Sequence, residues 1–162
     1  YKLLAERGGW WVDADVVCLR RFDFSNDVVL GAEVIGPDAE GLIVSSAVIR
    51  QPVGGALASW AWEECQHVDP QHLQWGQVGP RLLQRGVETL GLQLHVRPHT
   101  AFSPVPWFSC RDFVDPDIRI PLTADAYAVH LWHQMWVHHG IDPDEAQPAA
   151  CLYEQLKGRF LV

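Results

Sequence analysis

The chain has 162 residues, 48% of them hydrophobic, enough for one domain with a real core. Twelve Lys and Arg stand against twenty Asp and Glu, a formal net charge of −8, which argues against nucleic-acid binding because that needs a basic face to displace phosphate counterions. No apolar run approaches the roughly 20 residues that span a bilayer, so a soluble single domain over residues 1–162 is expected, cytoplasmic or membrane-peripheral.

The acidic balance does not exclude one nucleotide diphosphate, since a divalent cation can supply the positive charge. Cys18, Cys65, Cys110 and Cys151 have no paired spacing, so neither a zinc knuckle nor a disulfide framework is expected, and the thiols read as reduced.

In chain order, Tyr1 to Arg7 reads as the end of a helix, stopped by Gly8-Gly9. Trp10-Trp11-Val12 is a short apolar strand leading to Asp13. Val28 to Glu33 and Leu42 to Arg50 read as strands, with a turn at Gly36-Pro37-Asp38 between them. Apolar spacing predicts helices over Gly55 to His67 and Val78 to Leu90, with Pro80 in the first turn of the second. Leu92 to Val96 alternates as a strand, and Pro98 to Pro121 is rich in turn formers and reads as mostly loop. Tyr127 to Trp132 is a late strand, and Ala150 to Arg159 a last short helix. Strands and helices interleave, which suggests an α/β fold around a partly parallel sheet.

Asp13 and Asp15 follow an apolar strand, where open α/β sheets place their ligands. Two hard carboxylates two residues apart suit Mg²⁺ or Mn²⁺, which in turn clamps a diphosphate. Alone, the Asp-x-Asp pattern also fits a solvated acidic turn.

Three segments narrow the reading. Tyr1 to Val16 carries a helix, a Gly-Gly turn and an apolar strand running into Asp13-Ala14-Asp15; Gly76-Gln77-Val78-Gly79-Pro80 opens a helix; and Tyr127 to Trp132 ends in His130-Leu131-Trp132. In that order they resemble the DXD-containing glycosyltransferases, the group that includes initiating α-1,6-mannosyltransferases and α-1,4-galactosyltransferases. The resemblance implies a GT-A-type fold and transfer of a hexose, with retention, from a UDP- or GDP-sugar to a glycan or glycolipid acceptor, using Mn²⁺ or Mg²⁺. It implies metal binding by Asp15, Asp13 and His130, and donor contacts from Asp13, Asp15, Gly9 and Trp132. Ser45 and Ser46 stand where the family often has Asn, and with Gln77 they are the expected acceptor-side groups. Val78 stands in place of the family's usual Thr, and His133 follows the His-x-Trp segment. Against that family's usual length, the chain reads as the C-terminal portion of a catalytic domain, apparently lacking its N-terminal nucleotide-binding unit; Tyr1 opens on an uncapped helix.

Other readings compete. A haloacid-dehalogenase-like phosphatase would use Asp13 as nucleophile and Asp15 as acid/base, but needs a later Lys, and only Lys2 and Lys157 exist. A zinc enzyme built on His130, His133, His138 and His139 lacks an intervening Glu base. Of the eight tryptophans, Trp10, Trp60 and Trp62 sit at core-like positions, while Trp75, Trp107 and Trp132 are candidates for stacking on sugar rings. Asp112, Asp115 and Asp117 read as a solvated loop. A third class of reading is a non-catalytic remnant of a glycosyltransferase.

Overall fold

The computed structural model describes residues 1–161. Helix α1, Lys2–Arg7, buries only Leu4 and ends at Gly8, whose φ of 63° lies in the left-handed region. A Cβ on Gly8 would stand 2.7 Å from the Val53 amide nitrogen. The turn therefore lies against the backbone that leaves the central strand, an approach open only to glycine. Strand β1, Gly9–Val12, then pairs antiparallel with β4, Ala39–Gln51, Trp11 standing opposite Ile49.

β4 forms a hairpin with β3, Val29–Gly36, through the Pro37-Asp38 turn that the sequence predicts. Residues 29 to 33 of β3 are all buried, as expected of an interior strand covered on both faces. A two-residue strand β5, Val96–Arg97, adds in parallel to the far edge, giving the order β1-β4-β3-β5. The sheet is thus mixed, with one parallel pair among antiparallel neighbours.

One face is covered by α2, Ala56–Gln66, and α3, Pro80–Leu90, over a core of Leu30, Val44, Ile49, Leu57, Leu83 and Val87. These helices approach closely because Gly86 lacks a side chain, and a Cβ there would meet Leu57 and the Trp60 ring at 2.5 to 2.8 Å. The opposite face carries α4, His99–Phe102, and a two-stranded ribbon of β2, Val16–Cys18, and β6, Ala128–His130. Val29, Val48, Phe102 and Ala128 form the core between them. Behind β6, Cys110, Phe113, Val129 and Trp136 make a third cluster, closed by α5, His133–His139, and α6, Leu152–Phe160. All four cysteines are free thiols.

Several expectations need correction. Leu92 to Val96 is not a strand: Gln93–His95 is a 3-10 turn, and only Val96 and Arg97 pair with β3. The stretch 98–121 is mostly loop as expected, although it also holds α4 and a 3-10 segment, Trp107–Phe113. The late strand stops at His130, because Trp132 turns into the left-handed region and caps α5. Trp62, expected in the core, lies on the outer face of α2 at 37% exposure. The fully buried indole is Trp136 instead.

Candidate metal centre

The site lies where three segments meet at the strand ends. Asp13 follows β1, and its amide donates to the Ala47 carbonyl at 2.9 Å, which fixes it to the edge of β4. The Asp13 carbonyl accepts from the Val16 amide at 3.1 Å, so the Asp13-Ala14-Asp15 link is a tight turn into β2. β2 pairs with β6, Val16 opposite His130, and the Leu131 amide donates to the Asp15 carbonyl at 2.9 Å. The ribbon therefore carries His130 to Asp15 across more than a hundred residues of chain.

One ligand atom each from Asp13, Asp15 and His130 lies within 4.8 Å of the others, and this is the one such group of three among the described residues. His130 Nε2 stands 3.3 Å from Asp15 Oδ1, and the His133 amide at the start of α5 donates to Asp15 Oδ2 at 2.9 Å. Burial pushes the Asp15 carboxyl upward. The His130 hydrogen bond and charge, with the His133 amide, override this and hold it near a pKa of about 2, below its ordinary 3.8. Asp13 Oδ1 accepts from the Trp11 indole at 2.7 Å. Two hard carboxylates and an imidazole at this spacing fit Mn²⁺ or Mg²⁺ by donor chemistry.

The Asp15 shift gives a pH dependence with a definite sign. A carboxylate whose pKa is depressed on folding stabilises the fold above its unfolded value and loses that contribution as pH falls through its folded value. Thermal unfolding followed from pH 5 to pH 2 is expected to show Asp15's share of stability disappearing between about pH 4 and pH 2. An Asp15→Asn variant, lacking that group, should show a shallower acid slope. Equal slopes would place Asp15 outside the ion pair.

Trp132 holds the far wall. It is the one non-glycine residue among those described with positive φ, at 59°, a conformation that costs roughly 1–3 kcal/mol for a bulky residue. Two contacts hold it: its indole N–H donates to the Val105 carbonyl at 2.7 Å, and its ring lies 3.8 Å from the His130 ring centroid.

Beside Asp13, on the α1/α3 side of the sheet, a cavity of about 250 Å³ is lined by Tyr1, Trp11, Asp13, Ser46, Val78 and Gly79, among others. Tyr1 ties its rim together, its hydroxyl donating to the Val78 carbonyl at 2.9 Å.

The expected acceptor-side residues separate. Ser46 faces this cavity, whereas Ser45 is buried on the other face, where its hydroxyl accepts from the Ala47 amide at 3.2 Å. Gln77 closes a turn, its Oε1 accepting from the Gln74 amide at 2.9 Å. Gly9 carries a φ of 92° with open space around it, so the close approach belongs to Gly8. Trp107 is tied to the Ile35 carbonyl at the hairpin end, while Trp75 is free at 77% exposure.

Two rival chemistries find no support. Lys2 is exposed and paired with Glu6, and Lys157 is paired with Glu154 on α6, so neither is placed to neutralise a phosphoryl group at Asp13. His133, His138 and His139 are exposed on α5 and form no metal-type group with His130 among the described residues. Glu33 and Ser45 are both buried in the sheet, and the sequence did not single out Glu33. Only the alternation of side chains along β3 hinted at an acid turned inward.

The fold is mixed α/β, with an acidic turn and an imidazole converging at its strand ends, and the comparison with known families says which class of protein this is. The family model described as the alpha 1,4-glycosyltransferase conserved region matches residues 71–156, over half the chain, and the chain belongs to that glycosyltransferase family. The match covers α3, His130 and Trp132, and Asp13 and Asp15 lie ahead of it. No curated protein matches the chain. A transferase of this class takes a nucleotide sugar as donor and a glycan as acceptor. No helix among the described residues is long and apolar enough to cross a membrane.

Proposed function

We propose that this chain carries the donor site of a GT-A-type, divalent-cation-dependent hexosyltransferase that works with retention. The observation that carries the reading is the convergence of Asp13, Asp15 and His130 ligand atoms within 4.8 Å, from three separate segments, in a member of a glycosyltransferase family. A cation held there would supply positive charge to the departing diphosphate, the group on which most charge develops.

The protein's own groups do the rest. Asp15 binds the cation directly; burial raises its carboxyl, and His130 with the His133 amide bring it below its ordinary value. Asp13, on the boundary between centre and cavity, faces both the cation and the sugar. The cavity of about 250 Å³ lies below the usual range for whole-ligand pockets, roughly 300–1,000 Å³. We assign it one sugar ring. Ser46 and the Asp13 carboxylate offer that ring polar partners, and the Trp11 indole an apolar face. Trp132 shields His130 from water on the other side. The acceptor approaches past the 73–77 segment, where exposed Trp75 and half-buried Gln77 stand.

The test is a panel of UDP- and GDP-hexoses incubated with the protein, reading release of the nucleoside diphosphate. Release is expected to require Mn²⁺ or Mg²⁺ and to stop on chelation. Release that is unaffected by chelation would overturn the cation-dependent reading, and no release with any donor would favour the non-catalytic remnant.

A further inference from the structure

One large apolar side chain beside the site is left in water. Trp75 is 77% exposed, although tryptophan is among the residues that folding buries most on average. Each of the other seven indoles has a hydrogen-bond, aromatic or cationic partner, and Trp75 has none among the described residues. A lone apolar side chain on a loose loop would need no explanation. This one stands on a braced turn.

Gln77 bonds Gln74 twice, its amide donating to the Gln74 carbonyl at 3.1 Å and its Oε1 accepting from the Gln74 amide at 2.9 Å. Gly76 makes the turn with a φ of 74°, and its carbonyl accepts from the Gly79 and Arg81 amides at 3.2 and 3.1 Å. Pro80, buried, then opens α3. The turn is thus joined to the first turn of a helix. Trp75 has only its two side-chain torsions to fix when a ligand settles on it, which keeps the entropic cost of binding low. Its position is also close to the chemistry. Val78 and Gly79, a few residues on, line the cavity assigned above to the donor sugar, and the Tyr1 hydroxyl holds the Val78 carbonyl at 2.9 Å.

The groups around the indole narrow the ligand. From Pro70 to Pro80 there is no Lys, Arg, Asp or Glu, and His72 is turned to Asp69 at 2.7 Å. A phosphate or carboxylate finds no counter-charge on this segment. A membrane-docking surface typically sets basic residues beside its aromatic ones, and none is here. What the segment offers is an apolar ring face next to the neutral side-chain amides of Gln74 and Gln77. A neutral pyranose matches both, since one face of the ring is C–H and its edge carries hydroxyls that bond to amides.

We propose that Trp75 is the stacking platform of an acceptor subsite: a neutral pyranose ring of the acceptor lies on its exposed indole, with Gln74 and Gln77 as partners for the ring hydroxyls, outside the cavity that takes the donor sugar. The acceptor role rests on the transferase reading above, whereas the stacking itself needs neither donor nor cation.

The probes are maltose, cellobiose, lactose and mannobiose, titrated into the full chain without donor or metal. Two nuclear magnetic resonance signals are read: the Trp75 indole N–H cross-peak, identified by its loss in Trp75→Phe, and saturation transfer from the protein to the sugar C–H protons. At least one disaccharide is expected to move the Trp75 cross-peak saturably and to receive saturation along one ring face. Trp75→Ala should weaken that binding about 10-fold with the melting temperature unchanged, and Trp75→Phe should keep most of it. No response to any of these sugars, or equal affinity in Trp75→Ala, overturns the proposal. Uridine, guanosine and phosphatidylcholine vesicles are run alongside, and a Trp75 response to one of them with none to sugar also overturns it. With a donor that is turned over, the disaccharide that binds should be glycosylated; one that binds at Trp75 and is not glycosylated removes the acceptor role. Failure of the stacking leaves the cation site standing, and failure of the cation site leaves the stacking standing.

Discussion

Asp15→Asn is expected to lower cation-dependent release of nucleoside diphosphate from the sugar donor by about 10²–10³-fold, the range for removing one preorganised electrostatic group. The carboxylate is engaged at both oxygens, Oδ1 toward His130 Nε2 at 3.3 Å and Oδ2 receiving the His133 amide at 2.9 Å. An amide can keep one acceptor but not the negative charge that holds a cation. The loss should therefore appear in Mn²⁺ affinity and in turnover, while the far-ultraviolet circular dichroism stays that of the parent. The melting temperature should fall modestly at neutral pH, where ionised Asp15 stabilises the fold, and converge with the parent near pH 2. Turnover equal to the parent's at saturating Mn²⁺ would remove Asp15 from the site.

The largest effect on stability is expected at Phe102, which is 1% exposed and stands where four segments meet. Its ring centroid lies 5.4 Å from Phe22, 5.8 Å from Phe24 and 6.1 Å from Tyr127, and its edge occupies the space that Gly31 leaves open on β3. Phe102→Ala removes that volume from between the sheet and the ribbon. It is expected to cost roughly 3–5 kcal/mol in urea-induced unfolding, a large share of the 5–15 kcal/mol typical of a domain. The consequence reaches the site, because the ribbon that Phe102 supports is the element that carries His130. A loss under about 1 kcal/mol would show that the aromatic cluster repacks without it.

How much of this could be read from the chain follows from the range of each interaction. Helices α2 and α3 were legible because their apolar spacing repeats within a few residues, and the β3–β4 hairpin because Gly36-Pro37-Asp38 makes a turn by local chemistry. The left-handed stop at Gly8 was legible for the same reason. Strand β2 was not. Its three residues carry no pattern of their own and are extended because each stands opposite a residue of β6. Leu92 to Val96 misled for the converse reason, alternating like a strand where only its last residue has a partner on β3. α5 was hidden by Trp132, whose φ of 59° is a conformation that no local rule assigns to tryptophan.

The candidate site divides along the same line. By itself the sequence determined that Asp13 and Asp15 are two carboxylates at the end of an apolar strand, and that an imidazole and an indole sit two residues apart far downstream. Those are statements about residue type and spacing, which the covalent chain dictates. Only the tertiary structure decided that His130 reaches Asp15, since an antiparallel ribbon joins segments over a hundred residues apart. It also decided that Ser45 and Ser46, adjacent in the chain, serve opposite faces of the sheet, and that Glu33 lies buried within β3. Burial and charge proximity are properties of packed elements. A linear pattern carries them only where the contacts are local.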